Sequence, residues 1–387
     1  SGSKNQQCFE TEVITSLPTF RCRVDSLLSI VESALQRRID SAPWPVSLKT
    51  AVEYSLMAGG KRLRPVLVLL ANEICGGYQE NAIPAACAIE MIHTYSLIHD
   101  DLPSMDNDDY RRGRLTCHKV FGEALAVLAG DCLLTLAFET ITTADSESAK
   151  REVAASNSNS DSVRILQMIR LLAIAAGGAG MVGGQVKDLE AERGSLLCDR
   201  GDLSLKSLKN NGCETTPLAV DFQLREESTL SDFASFSSFF FETLSTATDS
   251  EGNDSNRSEG NRVVELVQIH RMKTGALIAA SLELGAISAG AGQSERERLR
   301  HYGHCIGLAF QIADDLLDVT GDQAKLGKNP GRDIDLGKLT YPALLGIEES
   351  RKQARRLVDE ACSTVEVFGE GSRWLRDLAR FIIERDH

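Results

Sequence analysis

Several things are scarce in this chain, and each scarcity excludes a class of protein. No run of apolar residues among its 387 positions reads as long enough to span a bilayer. The ten cysteines form no CxxC pair and no regular framework, which argues against zinc and against a disulfide-built scaffold. They read as the reduced thiols of an intracellular protein. Positive charge is in deficit, with 42 Lys and Arg against 55 Asp and Glu, a net charge of -13. That balance speaks against nucleic acid or an anionic membrane as partner, although local basic patches remain at 61–64 and 111–114.

What is present reads as one large helical domain. Leu27, Leu28, Val31 and Leu35 give one apolar face and predict a helix from about 23 to 39. A second helix over 46–57 ends at Gly59-Gly60, a C-terminal signal, and Lys61 to Pro65 follow on a loop. The next, 66–75, is almost wholly apolar and should be buried. Later segments predict two helices, 120–128 and 131–140, joined near Gly130, and the small-residue run AIAAGGAGMVGGQ lets backbones approach closely. Residues 1–22 read as a disordered lead or tag remnant, so cytoplasm, mitochondrion and plastid are not distinguished. The polar tract 146–162 reads as a disordered loop. So does most of 194–262, a largely disordered insert in which a short docking helix at FSSFFFETL is the alternative reading.

The chemistry concentrates in two acidic stretches. In EMIHTYSLIHDDLPSMDNDDYRRGRLTCHK an apolar helix brings Asp100 and Asp101 to its end, and Pro103 breaks it so that Asp106 folds back towards them. Carboxylates this dense repel one another unless a cation sits among them, and hard oxygen ligands of this kind suit Mg²⁺. Arg111 and Arg112 follow at once, and arginine forks pair with phosphate. Alone, such a motif is equally a solvated acidic turn. In FQIADDLLD, however, Gln311, Asp314, Asp315 and Asp318 fall at i, i+3, i+4 and i+7 of an apolar helix. Buried carboxylates need a compensating ion. Two such helices facing one another across a cavity would hold metal between them.

With these motifs in hand, the chain resembles the trans-isoprenyl diphosphate synthases of the polyprenyl synthetase family. Besides DDLPSMD and DDLLD, the segments GGKRLRP, GGQVKDLEAE, HRMKTGALI and LGKNPGRDIDLGKLTYPALLG stand in the family's order. The resemblance runs from about 27 to 380 apart from the insert, and is nearest to farnesyl and geranylgeranyl diphosphate synthases of bacterial and plastid type.

The resemblance implies an all-α helical bundle around a deep central cavity, a homodimer, three Mg²⁺ ions, and no stable membrane insertion. Asp100, Asp101, Asp106, Asp314, Asp315 and Asp318 would be the metal ligands. Lys61, Arg64, His93 and Arg112 would hold isopentenyl diphosphate. Arg111, Lys273, Thr274, Gln311, Lys328 and Lys338 would face the allylic diphosphate, supported by Gln185 and Asp188. The allylic substrates would be dimethylallyl and geranyl diphosphate, joined head to tail with isopentenyl diphosphate through ionisation of the allylic C–O bond.

Tyr95 and Ser96, the fifth and fourth residues before Asp100, would set product length. Tyrosine there resembles farnesyl diphosphate synthases, so farnesyl diphosphate is the expected product and geranylgeranyl diphosphate the alternative. Two other readings fit less well. A terpene cyclase typically carries an NSE-type second motif, and a non-catalytic subunit usually loses one aspartate motif.

Overall fold

The computed structural model describes residues 2–143, 158–199, 254–320 and 339–384, with side chains from Thr19 onward except at 158–160, 192–199 and 254–261. It is built of α1 (Gly2–Ser41), α2 (Val46–Leu56), α3 (Leu63–Ile74), α4 (Gln79–Asp100), α5 (Cys117–Phe121), α6 (Glu123–Thr142), α7 (Ser158–Ala176) and α8 (Met181–Asp199). The chain continues with α9 (Asp254–His270), a π-helical turn (Arg271–Gly275), α10 (Ala276–Ala289) and α11 (Gln293–Thr320). It closes with α12 (Tyr341–Leu345), α13 (Ile347–Val365), a 3₁₀ turn (Glu366–Ser372) and α14 (Arg373–Ile383).

The centre is made by α3 and α10, two predominantly apolar helices that are buried along most of their length. Pro65 to Asn72 of α3 are buried without interruption, as are Leu277 to Ser288 of α10. Each fully enclosed leucine or valine contributes about 1.5–3 kcal/mol. The two helices touch closely at Gly285, where a Cβ would lie 2.8 Å from that of Ala71. Around them pack α4, α11 and, on the outer side of α4, α6. In α1, Leu27, Val31, Leu35 and Ile39 are fully buried, the four-residue stripe of an amphipathic helix.

Several expectations change in the folded chain. Helix α6 runs straight through Gly130. That glycine is no boundary between helices; it lets α4 and α6 close together, since a Cβ there would lie 2.6 Å from Cδ2 of His99. Helix α3 begins at Leu63, so Arg64 and Pro65 belong to its first turn rather than to a loop. Proline is tolerated there because its missing N–H would have no partner in any case. Helix α1 extends back across residues 2–22, where a disordered lead was expected. The expected loop at 146–162 and the expected insert at 194–262 have helical margins, since α7 starts at Ser158, α8 runs to Asp199 and α9 starts at Asp254. The tracts 144–157 and 200–253, FSSFFFETL included, lie outside the described residues.

Two helical stretches, Glu123–Thr142 and Asp161–Ala191, are long and apolar enough by length and composition to cross a membrane, which corrects the reading that no run reaches that length. For α6 packing accounts for much of the apolarity, because Ala126, Ala129, Leu133, Leu136, Ala137 and Ile141 are buried in a helix that packs on α4 and α2.

The all-α expectation holds with one small exception. Tyr110–Arg111 and Arg114–Leu115 pair as an antiparallel hairpin, Tyr110 opposite Leu115 and Arg111 opposite Arg114. Its two turn residues, Arg112 and Gly113, have φ of 54° and 74°. Positive φ at both central positions is the signature of a two-residue type I′ turn, whose twist suits a tight hairpin.

Candidate active site

Helix α4 ends at Asp100, and the following turn is closed by its own backbone. The Asp106 N–H donates to the Asp100 carbonyl at 2.8 Å, and the Asn107 N–H to the Leu102 carbonyl at 3.1 Å. Asp106 is thereby folded back on Asp100, as the break at Pro103 implied. Burial pushes the Asp100 carboxyl up to about 6, with Lys273 opposing the shift and Asp106 adding to it. Asp100 is thus acted on by a lysine from a distant segment of chain as well as by its own neighbour Asp106.

The hairpin sends its two arginines to different places. Arg111 donates through Nε to Oδ1 of Asp101 at 2.7 Å, and its Nη2 lies 2.7 Å from the same oxygen. The Asp101 carboxyl is nonetheless pushed up to about 6, because burial outweighs the arginine. Arg111, expected to face the allylic diphosphate, is thus engaged by Asp101. Arg112 donates to the Gly59 carbonyl and lies over Gly60, where a Cβ would stand 2.7 Å from its Nη1.

Behind Arg112 lies a cationic pocket. Arg64 is lowered to about 10 by burial, Glu90 opposing and Arg112 adding to the fall. His93 is held well below its ordinary value, first by burial and then by Arg64, Arg112, Arg111 and Arg62, so it is a neutral imidazole. Lys61 is exposed at the rim. Three of the four residues expected to hold isopentenyl diphosphate, Arg64, His93 and Arg112, therefore share one electrostatic neighbourhood.

A buried pair supports that pocket, and half of it escaped the sequence reading. Arg62 Nη1 donates to Glu90 Oε1 at 2.7 Å, with the two side chains 0% and 1% exposed. Arg62 occupies the left-handed region, with φ of 44°, as the cap of α3. The available signal was a glutamate in the apolar middle of a helix, three residues before His93 and on its face.

Lys273 and Thr274 sit on the π-helical turn between α9 and α10. Such bulges recur at functional sites because they re-aim side chains from an otherwise regular helix. Lys273 Nζ meets Asp188 Oδ2 of α8 at 2.6 Å. The glycines of α8 make this approach possible, since a Cβ on Gly184 would lie 2.7 Å from Lys273 Cα and 2.8 Å from the Met272 carbonyl carbon. Gln185, on α8 with Asp188, and Thr274, on the π-helical turn with Lys273, are half-buried.

On α11, Gln311, Asp314 and Asp318 are half-buried and Asp315 is buried. One Asp315 oxygen is already used, accepting the Tyr341 N–H at 2.9 Å and so capping α12. Asp318 Oδ2 is enclosed without a hydrogen-bond partner. Lys328 and Lys338 lie outside the described residues.

A short chain of neighbours joins the two acidic segments. Asp100 feels Lys273. Lys273 pairs with Asp188. Burial lowers His270 to about 4, Asp188 opposing and Lys273 assisting. The His270 ring lies 5.4 Å from that of Tyr341, whose N–H is on Asp315. His270 and Tyr341 are residues that the sequence reading did not single out, although His270 stands three positions before Lys273.

The residues fit a divalent cation. Asp100 and Asp101 are desolvated carboxylates whose pKa is raised, and Asp318 presents an unpartnered buried oxygen. Hard oxygen donors with unmet negative charge are what Mg²⁺ takes. An acidic helix end, a lysine-bearing turn and an arginine pocket on one helical bundle have the chemistry of an enzyme site for anionic esters, with carboxylates suited to a divalent cation beside cationic groups suited to phosphate.

Comparison with known proteins places it more closely. The sequence model of the polyprenyl synthetase family matches residues 45–207 and 221–367. The chain is 40% identical over 384 residues to a dimethylallyltranstransferase of Fischerella ambigua, covering 99% of this chain and 88% of the relative. It is 37% identical to a geranylgeranyl diphosphate synthase of Cyanophora paradoxa over 358 residues, 92% of this chain and 94% of that one. Its fold is similar to the crystal structure of an FPP/GFPP synthase from Zymomonas mobilis, with a TM-score of 0.65, 33% identity, and coverage of 94% and 99% of the two chains. The chain belongs to the polyprenyl synthetase family and is a trans-prenyltransferase. Members of the family act on isoprenyl diphosphates and use a divalent metal.

Proposed function

We propose that the protein condenses isopentenyl diphosphate head to tail with dimethylallyl and then geranyl diphosphate, releasing farnesyl diphosphate. The observation that carries this reading is the convergence of the acidic end of α4 and the Lys273 turn, with a separate arginine pocket beside them. One anion site would serve a hydrolase or a cyclase. Two serve a condensation of two diphosphates.

Asp100, Asp101, Asp106, Asp314, Asp315 and Asp318 are the side chains that would hold three Mg²⁺ ions, with Asp101 and Asp315 tied in addition to Arg111 and Tyr341. When bound, the metal supplies positive charge against the departing diphosphate. Lys273 adds a further charge at the same leaving group, held in place by Asp188. Arg64, Arg112 and Lys61 hold the second diphosphate, and neutral His93 donates a hydrogen bond without adding charge. The apolar walls keep water from the allylic cation while the double bond of the isopentenyl group attacks it. The released pyrophosphate takes the last proton.

Tyr95 is 7% exposed, edge-on to His99 at 5.7 Å, and its pKa is raised by burial and by Asp100. A buried ring within electrostatic reach of Asp100 supports a limit at fifteen carbons. A second reading, geranylgeranyl diphosphate as main product, is favoured by the names of relatives such as the Cyanophora paradoxa enzyme.

We also propose a homodimer, carried over from the family and supported by apolar side chains left outward on two neighbouring helices, Leu128 at 56% and Leu166 at 65% exposure. Incubation with isopentenyl and dimethylallyl diphosphates and Mg²⁺, followed by product chromatography, tests the function. Elongated prenyl diphosphates support it, whereas a cyclic hydrocarbon or no product overturns it.

A further inference from the structure

The spacing of the cysteines along the chain argued against zinc, but the fold brings one of them beside two other metal-binding groups. His301 and Cys305 lie four residues apart on one face of α11, and Glu360 faces them from α13. His301 Nε2 is 2.7 Å from Glu360 Oε1, and Cys305 Sγ is 3.7 Å from the same Nε2. All three donor atoms lie within 4.8 Å of one another, and this is the one such group of His, Cys, Asp and Glu among the described residues.

We infer that His301, Cys305 and Glu360 form a second metal site, for a zinc-class ion, which ties α11 to α13 apart from the prenyl-transfer site. Zinc binds thiolate at about 2.3 Å and imidazole or carboxylate at about 2.0–2.2 Å, so tetrahedral donors stand roughly 3.3–3.6 Å apart. The Cys305–His301 separation is already close to that. The His301–Glu360 hydrogen bond would open by roughly half an ångström to admit the ion. A second observation points to a ligand: the other oxygen, Glu360 Oε2, is enclosed with no hydrogen-bond partner.

The site has a closed side and an open one. Cys305 is fully buried, whereas the His301 and Glu360 side chains are 37% and 28% exposed, which leaves a path for the ion and room for a water as fourth ligand. Arg271 bears on Cys305, and Arg300 and His304 neighbour His301. Against those positive groups the site offers Glu360 and, once the ion is bound, the Cys305 thiolate. Two negative charges then balance the dication. Burial keeps the empty site as a thiol, so each ion bound displaces one proton from Cys305 to solvent, with no change of oxidation state.

Cys305 precedes Asp314 by nine residues, about 13.5 Å along the helix at 1.5 Å per residue. The ion would therefore brace the helix that carries the second acidic motif without touching substrate. Hard Mg²⁺ does not compete for a thiolate site, whereas soft-ligand chemistry selects zinc.

The test uses Co²⁺ as a spectroscopic stand-in for zinc, added to metal-stripped full-length protein in saturating Mg²⁺, which fills the aspartates. One equivalent of Co²⁺ should produce a thiolate-to-cobalt charge-transfer band in the near ultraviolet, and Zn²⁺ should erase it. Cys305→Ser should abolish the band while leaving prenyl transfer within about twofold of wild type. Glu360→Gln, which keeps the shape of the side chain, should weaken Co²⁺ binding at least tenfold. Absence of the band in the wild type, or its persistence in Cys305→Ser, overturns the inference. Should Cys305→Ser fail to fold, Glu360→Gln decides alone, and unchanged Co²⁺ affinity there refutes the site.

Discussion

Gly184→Ala isolates the contact that positions the central lysine. The added methyl would lie 2.7 Å from Lys273 Cα and 2.8 Å from the Met272 carbonyl carbon, and closer still to the Lys273 nitrogen. Carbon atoms in van der Waals contact stand about 3.5–4.0 Å apart, so α8 and the π-helical turn must separate by roughly 1 Å. All of the obstructing atoms are backbone, which cannot rotate away as a side chain would. Overpacking of this kind costs about 1–3 kcal/mol, and here the upper end applies. Replacing a helical glycine by alanine returns about 1 kcal/mol, leaving a net loss of about 2 kcal/mol. The catalytic effect should be larger than the effect on stability. A displacement of about 1 Å at a positioned group costs on the order of 100-fold in rate. Lys273 would move with its turn and lose its 2.6 Å contact with Asp188. Steady-state kinetics with dimethylallyl diphosphate, alongside urea denaturation, measure both quantities. Gly178→Ala is the control, because nothing lies within 4 Å of the added carbon there. Wild-type turnover in Gly184→Ala, or an equal loss in Gly178→Ala, would refute the reasoning.

Other perturbations read out other regions of the site. Arg62→Ala leaves Glu90, whose side chain is 1% exposed, buried without the arginine that hydrogen-bonds it, with only the longer-range charges of Arg64 and Arg112 beside it. It should cost about 3–5 kcal/mol in urea denaturation, and a loss below about 1 kcal/mol would mean the pair does not hold the pocket. Tyr95→Ala should lengthen the products, and unchanged chain length on chromatography would remove Tyr95 as the limit. Asp100 and Asp101 are both raised to about 6. Protonation favours the folded state for such groups, so the metal-free protein should lose stability as pH rises from about 4 through 6. Melting of chelator-treated protein should therefore be higher at about pH 5 than at about pH 7.5, with Mg²⁺ closing the gap. Activity should fall on the acid side near pH 6, as protons compete with the metal for the same oxygens.

Much of this protein was legible as one-dimensional pattern. The apolar runs of α3 and α10, the stripe of α1, the break at Pro103 and the two acidic motifs all depend on neighbours within a helical turn or two. Local spacing suffices for such features, because helix periodicity and proline sterics act over that range. Other features depend on which distant segments meet. Gly130 looked like a helix end because a glycine carries no record of its reason, which is the His99 ring from α4. Arg111 and Arg112 are adjacent in sequence yet diverge, since a hairpin with positive φ at Arg112 sends one to Asp101 and the other to Gly59. Glu90 became a partner only when α3 and α4 packed side by side. Cys305 found His301 along its own helix but Glu360 only across to α13. The sequence alone determined the helices and the supply of charge, because both are written in local residue choice. Which charges face one another was decided by tertiary packing, because a Coulomb interaction depends on distance in space and takes no account of separation along the chain.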